Sequence, residues 1–323
     1  MIPEVSAMLS QAYLVGFFLP CSLFATATWF VSRLHLPFNA TQASDWSVSI
    51  GLKASFAFLA VLAFSVILRL LNTLIIKFYE GLFPSQHWIL FRPLLRKSKS
   101  RWRKKLKRIE RLKSGEKNKA AFGEEWELFL SYPTDDLSEE GDILPTRLGN
   151  RIAAFEHYSY RRYGIDAITM WPRLVMVLPE ATKKAIESAK SGFDFFINCS
   201  ALSYLSAFTV LVLPSPMGSS KKVAAIILSL ILGFVLYQLS FAAATNWGET
   251  VKSAFDLYRL DLLGQMGVKL NKTEFSSAEE QDIWHELQWA MKYRYPPKEC
   301  LVKFEFKPDK LNKNKDTKSS ADD

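Results

Sequence analysis

Cysteine is scarce in this chain of 323 residues: Cys21, Cys199 and Cys300 are odd in number and far apart. That spacing supplies neither a disulfide framework nor the paired ligands of a zinc site. Cys21 and Cys199 sit in apolar runs, where a free thiol behaves as a small hydrophobe. Also missing are a glycine-rich phosphate loop, a nucleophilic serine elbow and an H-E-x-x-H pair. The histidines are four: His35, His87, His157 and His285. Only His157 lies in the polar centre of the chain, next to Glu156, and neighbours on a helix point about 100° apart. No catalytic set, metal site or cofactor is expected, so an enzyme is the weakest of the readings below.

Two more absences shape the membrane reading. Ahead of Tyr13 there is Glu4 but no Lys or Arg, so the basic start of a cleaved signal peptide is missing. No internal repeat relates the two apolar halves of the chain, which disfavours carrier-type transport.

What is present is apolar sequence gathered into four runs. Tyr13 to Val31 carries no charge and has about the length needed to cross a ~30 Å hydrocarbon core. Pro20 within it frees a backbone carbonyl, which a spanning helix tolerates when a neighbour satisfies that group. After a mixed loop over 33–51, Ala54 to Ile76 forms a second span, interrupted by Arg69 and Asn72. An arginine at the bilayer centre costs about 2.5–3.5 kcal/mol on insertion scales, so Arg69 either snorkels to the surface or pairs with an acid such as Glu80. Phe193 to Leu213 and Val223 to Thr245 make a second pair of spans, joined by a turn with Pro214, Pro216 and Gly218. Arg69, Asn72, Asp194 and Asn198 are the polar residues of these spans and the candidates for a pore vestibule.

The charge is as uneven as the hydrophobicity. Between Arg92 and Lys119 there are 14 Lys and Arg against two Glu, and this local excess of +12 exceeds the net +9 of the whole chain. Leu95, Trp102, Leu106, Ile109 and Leu112 recur there at helical spacing, giving a narrow apolar stripe on a basic helix. Arg96, Lys97, Arg101, Arg103, Lys104, Lys105, Lys107 and Arg108 are its membrane-surface cations. Each can gain about 1 kcal/mol beside anionic lipid headgroups. Nucleic acid is disfavoured as the partner, because Trp102 is the lone aromatic available for stacking on bases. So many cations next to a span place this segment in the cytosol. The stretch from Glu124 to Asp142 is acidic and suited to docking on the basic helix.

Pro145 to Pro179 is the polar, aromatic-rich centre. Thr146 to Asn150 suggests a turn or cap, Ile152 to Tyr163 a helix, and Ala167 to Leu178 an apolar segment too short to span, interfacial or buried in protein. Arg147, His157, Arg161, Arg162, Asp166 and Arg173, with Glu249, Asp256 and Arg259 from beyond the last span, form a candidate interaction or ligand cluster. An ion-pair network that only holds the elements together is the competing reading. Past the fourth span a helix continues with Val251, Phe255, Tyr258, Leu262 and Met266 in register, and Glu279 to Met291 forms another. The tail from Lys307 is too poor in apolar residues to fold.

PTRLGN (145–150), YGIDAITMWPRL (163–174) and NWGETVKSAFDLYRLDLLGQMG (246–267) resemble motifs of a group of bacterial multi-pass membrane proteins without a known activity. The resemblance implies a membrane setting and no catalytic residues. The expected fold is all-α: a four-helix transmembrane protein of two hairpins, with a cytosolic helical insert and a C-terminal helical region. The divisions are 1–78, first hairpin; 79–192, cytosolic insert; 193–245, second hairpin; 246–306, cytosolic helices; and 307–323, disordered tail. Both termini lie in the cytosol of a bacterium, and the membrane is the inner one. The expected function is a scaffold in the lipid bilayer that recruits a cytosolic protein. An oligomeric ion channel or pore-forming effector is the alternative, and a membrane-bound enzyme the second alternative. A homo-oligomer or a cytosolic protein partner is expected.

Overall fold

The computed structural model describes residues 10–33, 46–85, 88–89, 91–113, 123, 126, 129–133, 142–212, 218–269, 276–294 and 303–304. The fold is all-α, with one two-residue antiparallel ladder among the described residues. The first helix, α1, is Gln11–Tyr13, a π-helical turn Leu14–Phe18, and Leu19–Arg33. Then follow α2 (Trp46–Glu80), α3 (Arg92–Lys113), α4 (Arg147–Glu156), α5 (Tyr158–Tyr163), α6 (Ala167–Val177), α7 (Glu180–Val212) and α8 (Ser219–Gln265). β1 (Val268–Lys269) pairs with β2 (Lys303–Phe304), and α9 (Ser277–Tyr293) lies between them in sequence. Among the described residues four helices, α1, α2, α7 and α8, are long and apolar enough to cross a membrane by length and composition.

The chain groups into two compact units, 1–155 with 184–251, and 156–183 with 252–323. These boundaries differ from the sequence divisions at 79, 193 and 246. The reason is continuity: α7 starts before its apolar run and α8 ends well beyond its own, so each long helix belongs partly to both units. The loop expected up to residue 51 is also shorter, because α2 already begins at Trp46. Gly51 within it is tolerated at a cost of about 1 kcal/mol. The turn at 213–217, His35, His87 and the tail from Lys307 lie outside the described residues.

In the first unit, Tyr13, Phe17 and Cys21 of α1 pack with Leu68 of α2 and Leu202 of α7. Helices α7 and α8 run antiparallel, since Phe193 stacks on Trp247 while Ser200 Oγ donates to the Gly233 carbonyl at 2.8 Å. The PTRLGN stretch is a joint between elements. Thr146 Oγ1 caps α4 by accepting from the Gly149 amide at 2.9 Å, and it donates to the carbonyl of Glu80, the last residue of α2, at 3.0 Å. Gly149 lies so close to that end that a Cβ would sit 2.4 Å from the same oxygen. Asn150 Nδ2 donates to Ser98 Oγ of α3 and to the carbonyls of Leu144 and Thr146, and its Oδ1 accepts from the Leu144 amide.

Helix α3 uses its apolar stripe inside the protein. Trp102 and Ile109 are buried in a small core with Phe129, Tyr132 and Ile143, and Leu106 packs beside them. Burial of a side chain such as Ile109 is worth about 1.5–3 kcal/mol, which a lipid surface would have to match. The stripe is therefore not a membrane-inserting face, although Arg96, Lys97, Arg101, Arg103, Lys104, Lys107 and Arg108 stay exposed and Lys105 is half-buried. Of the acidic side chains from Glu124 to Asp142 expected to dock on it, Asp142 is described and is exposed, and the others fall outside the described residues.

The second unit is built on α5, α6, α9 and the outer end of α8. The helix expected over 152–163 is two helices, broken at His157. Gly164, at φ 73°, closes α5 in the left-handed region, which glycine adopts without strain. Asp166 caps α6 by accepting from the Ile168 amide at 3.1 Å and from Thr169 Oγ1 at 2.6 Å. Ser276 and Glu279 form a reciprocal capping box at the start of α9.

Candidate functional site

Two groups of side chains emerge, one in each unit. In the first unit three of the four polar span residues, Asn72, Asp194 and Asn198, gather beside the π-helical turn of α1. Pro20 has no N–H for the carbonyl four residues back, that of Gly16. Asn198 Nδ2 donates to that oxygen at 3.0 Å, so the carbonyl freed by the proline is satisfied from α7. One turn earlier, Asp194 accepts from Asn72 Nδ2 at 3.1 Å and from Lys190 Nζ at 2.9 Å on both oxygens. The Asp194 Cβ would lie 3.3 Å from a Cβ at position 16, so the glycine allows the close approach of α1 and α7. Asn72, Asp194 and Asn198 are 7%, 5% and 0% exposed. Their hydrogen bonds tie three spanning helices together. Arg69 is different: it is exposed, with its guanidinium 5.6 Å from the ring centre of Tyr13. It does not pair with Glu80, which is buried beneath Gly149.

The nine residues expected to form one cluster divide between the units. Arg147 and Glu249 belong to the first, where Arg147 lies over the Phe241 ring at 5.2 Å. Arg151, which no spacing in the sequence singled out, donates beside it to the Phe241 carbonyl and to Thr245 Oγ1. The other seven belong to the second unit. There Asp256 accepts from the hydroxyls of Tyr158 and Tyr163, at 3.0 and 2.8 Å. Arg259 Nε donates to Glu280 at 2.7 Å, and its guanidinium lies 3.9 Å over the Tyr163 ring. Burial, and then the hydrogen bond to the Asp256 carboxylate, push the Tyr158 phenol up to about 12; burial pushes Tyr163 up as well. Gln288 holds the Gly164–Asp166 turn, donating to the Gly164 carbonyl at 2.8 Å and accepting from the Asp166 amide. Asp166 is consumed as a cap, and Arg173 donates to the Thr169 carbonyl on its own helix. His157 stands at the break before α5, Arg161 and Arg162 in the last turn of α5.

Helix α6 carries a surface that the sequence did not resolve. Ala167, Met170 and Leu174 are buried on one face. On another, Ile168, Pro172 and Met176 recur every four residues, and all three are exposed, Ile168 at 78% and Met176 at 80%. Its apolar run is therefore two stripes. Glu280 and Gln288, and the bonding of the packing residues Tyr158 and Tyr163 to Asp256, are not legible in the sequence, since each acts through a partner about 20 to 120 residues away.

Compared with family models, curated proteins and solved structures, the chain finds no match. Among the described residues no group of three His, Cys, Asp or Glu side chains comes close enough to hold a metal ion.

Proposed function

We propose that this protein is a membrane scaffold that captures a soluble protein on the outward stripe of α6. The observation that supports it is the row Ile168, Pro172 and Met176, exposed outside the four candidate spans on a helix whose other face is packed. An apolar row every four residues suits an amphipathic helix of a partner laid against it. Arg162 and Arg173 are exposed nearby in sequence, which favours a partner segment edged by acidic side chains. The buried span residues support the same reading, because Asn72 and Asn198 each spend a donor, and Asp194 an acceptor, joining helices. The basic face of α3, following α2, supports cytosolic termini in a bacterial inner membrane and contact with anionic lipid headgroups. The resemblance of the joint motifs to bacterial multi-pass proteins is part of this proposal.

The test is capture from a soluble extract by the full chain in detergent, comparing Ile168→Asp and Met176→Glu with the unaltered protein. One soluble protein, held by the unaltered chain and reduced at least tenfold by either change, is the expected result. Equal capture by all three would overturn the α6 assignment.

One observation favours the channel alternative. The side-chain oxygens of Asn72 and Asn198 are buried and have no hydrogen-bond partner among the described residues. Buried amide oxygens of that kind draw in water or an ion. Liposome flux above that of empty liposomes, altered by Asp194→Asn, would move the account to a channel.

A further inference from the structure

Arg69 and Glu187 line one open cleft of about 300 Å³ between α1, α2 and α7, together with Ser10, Tyr13, Thr73 and Lys190. The two opposite charges share this cleft without bonding to each other. Among the described residues the contact of Arg69 is the Tyr13 ring, and Glu187 has no ion pair. Both side chains are exposed. Lys190 is already bound by Asp194. The neighbours of Arg69 on α2 are apolar and exposed, with Ile67, Leu70, Leu71 and Leu74 all outward. A guanidinium has five donors and no acceptor, and beside hydrocarbon it needs an anion. Among the described residues no carboxylate bonds to it, which suits the site to an anion from outside the chain.

We propose that this cleft binds the headgroup of an amine-bearing phospholipid. Arg69 takes the phosphate in a charge-assisted, bidentate fashion. Glu187 takes the primary ammonium, and the acyl chains lie along the exposed leucines of α2. Clefts with basic residues between spanning helices are suited to phospholipid headgroups. The carboxylate narrows the choice here. A purely anionic headgroup is repelled by Glu187, and a trimethylated one has no N–H to donate to it. The site goes beyond the scaffold reading and does not depend on any protein partner.

The test uses the full chain purified in detergent and exposed to an equimolar mixture of phosphatidylethanolamine, phosphatidylcholine and phosphatidylglycerol, with bound lipid read by native mass spectrometry. The expected result is retention of phosphatidylethanolamine about tenfold over the other two. Arg69→Gln abolishes retention of all three, Arg69→Lys restores part of it, and Glu187→Gln keeps binding but erases the preference over phosphatidylglycerol. Equal retention of the three lipids by the unaltered protein overturns the proposal, and that comparison needs no variant to fold. Displacement of the bound lipid by soluble O-phosphoethanolamine at similar concentration overturns it too, because the site would then serve a free solute.

Discussion

At the scale of single residues, the account rests on side chains that complete another element's hydrogen bonding. Asn198 is the clearest. It serves a carbonyl that Pro20, 178 positions earlier, cannot serve. Asn198→Ala leaves the Gly16 oxygen buried without a donor, and a loss of about 1–3 kcal/mol is expected, read as a lower unfolding midpoint in detergent. Gly149 is expected to be equally intolerant. A methyl group there meets the Glu80 carbonyl, and Gly149→Ala should cost about 1–3 kcal/mol through a forced backbone shift, measured in the same way. Half of the first relation was legible in the sequence, since a proline in a span announces a freed carbonyl. The donor was not, because no rule of spacing links residue 20 to residue 198.

At the scale of elements, the second unit carries a titration of its own. Asp256 accepts from two phenols, and the Tyr158 value is raised from 10 to about 12. The folded protein therefore favours the neutral phenol. Its contribution is whole below pH 10 and fades as pH rises through about 12. Tyr158→Phe is expected to lose stability at neutral pH, by about 1–3 kcal/mol for a hydrogen bond to a charged group, and to show a smaller further loss over that alkaline window. Thermal melts of both proteins at stepped pH check this. The long apolar helices were legible from hydropathy alone, and α9 from its period and the acidic residues of its first turn. Helix α3 was legible as a helix but not by its environment. A stripe on a basic helix looks the same whether it meets lipid or Phe129 and Tyr132, and only the fold decides. Helix α6 was legible as apolar and too short to span, but not as two stripes with separate roles.

At the scale of the whole molecule, the nine residues read as one cluster are shared between two compact units, each with its own contacts. Charges close in sequence to membrane ends were assigned to one place, whereas Arg147 and Glu249 pack with the first unit and the rest with the second. Three of the stretches singled out in the sequence act as joints: PTRLGN fastens α4 to the end of α2 and to Ser98 of α3, YGID fastens α5 and α6 to α9, and NWGET sets Trp247 against Phe155 and Phe193. Stretches of that kind fix a geometry without supplying a reaction, and the scaffold proposed above asks no more of them. The measurement that tests this most directly is photo-crosslinking in intact membranes from a reactive side chain placed at Met176. The account predicts one discrete adduct with a soluble protein, lost when Ile168→Asp is added. Adducts with lipid alone, or an adduct that Ile168→Asp leaves unchanged, would contradict it.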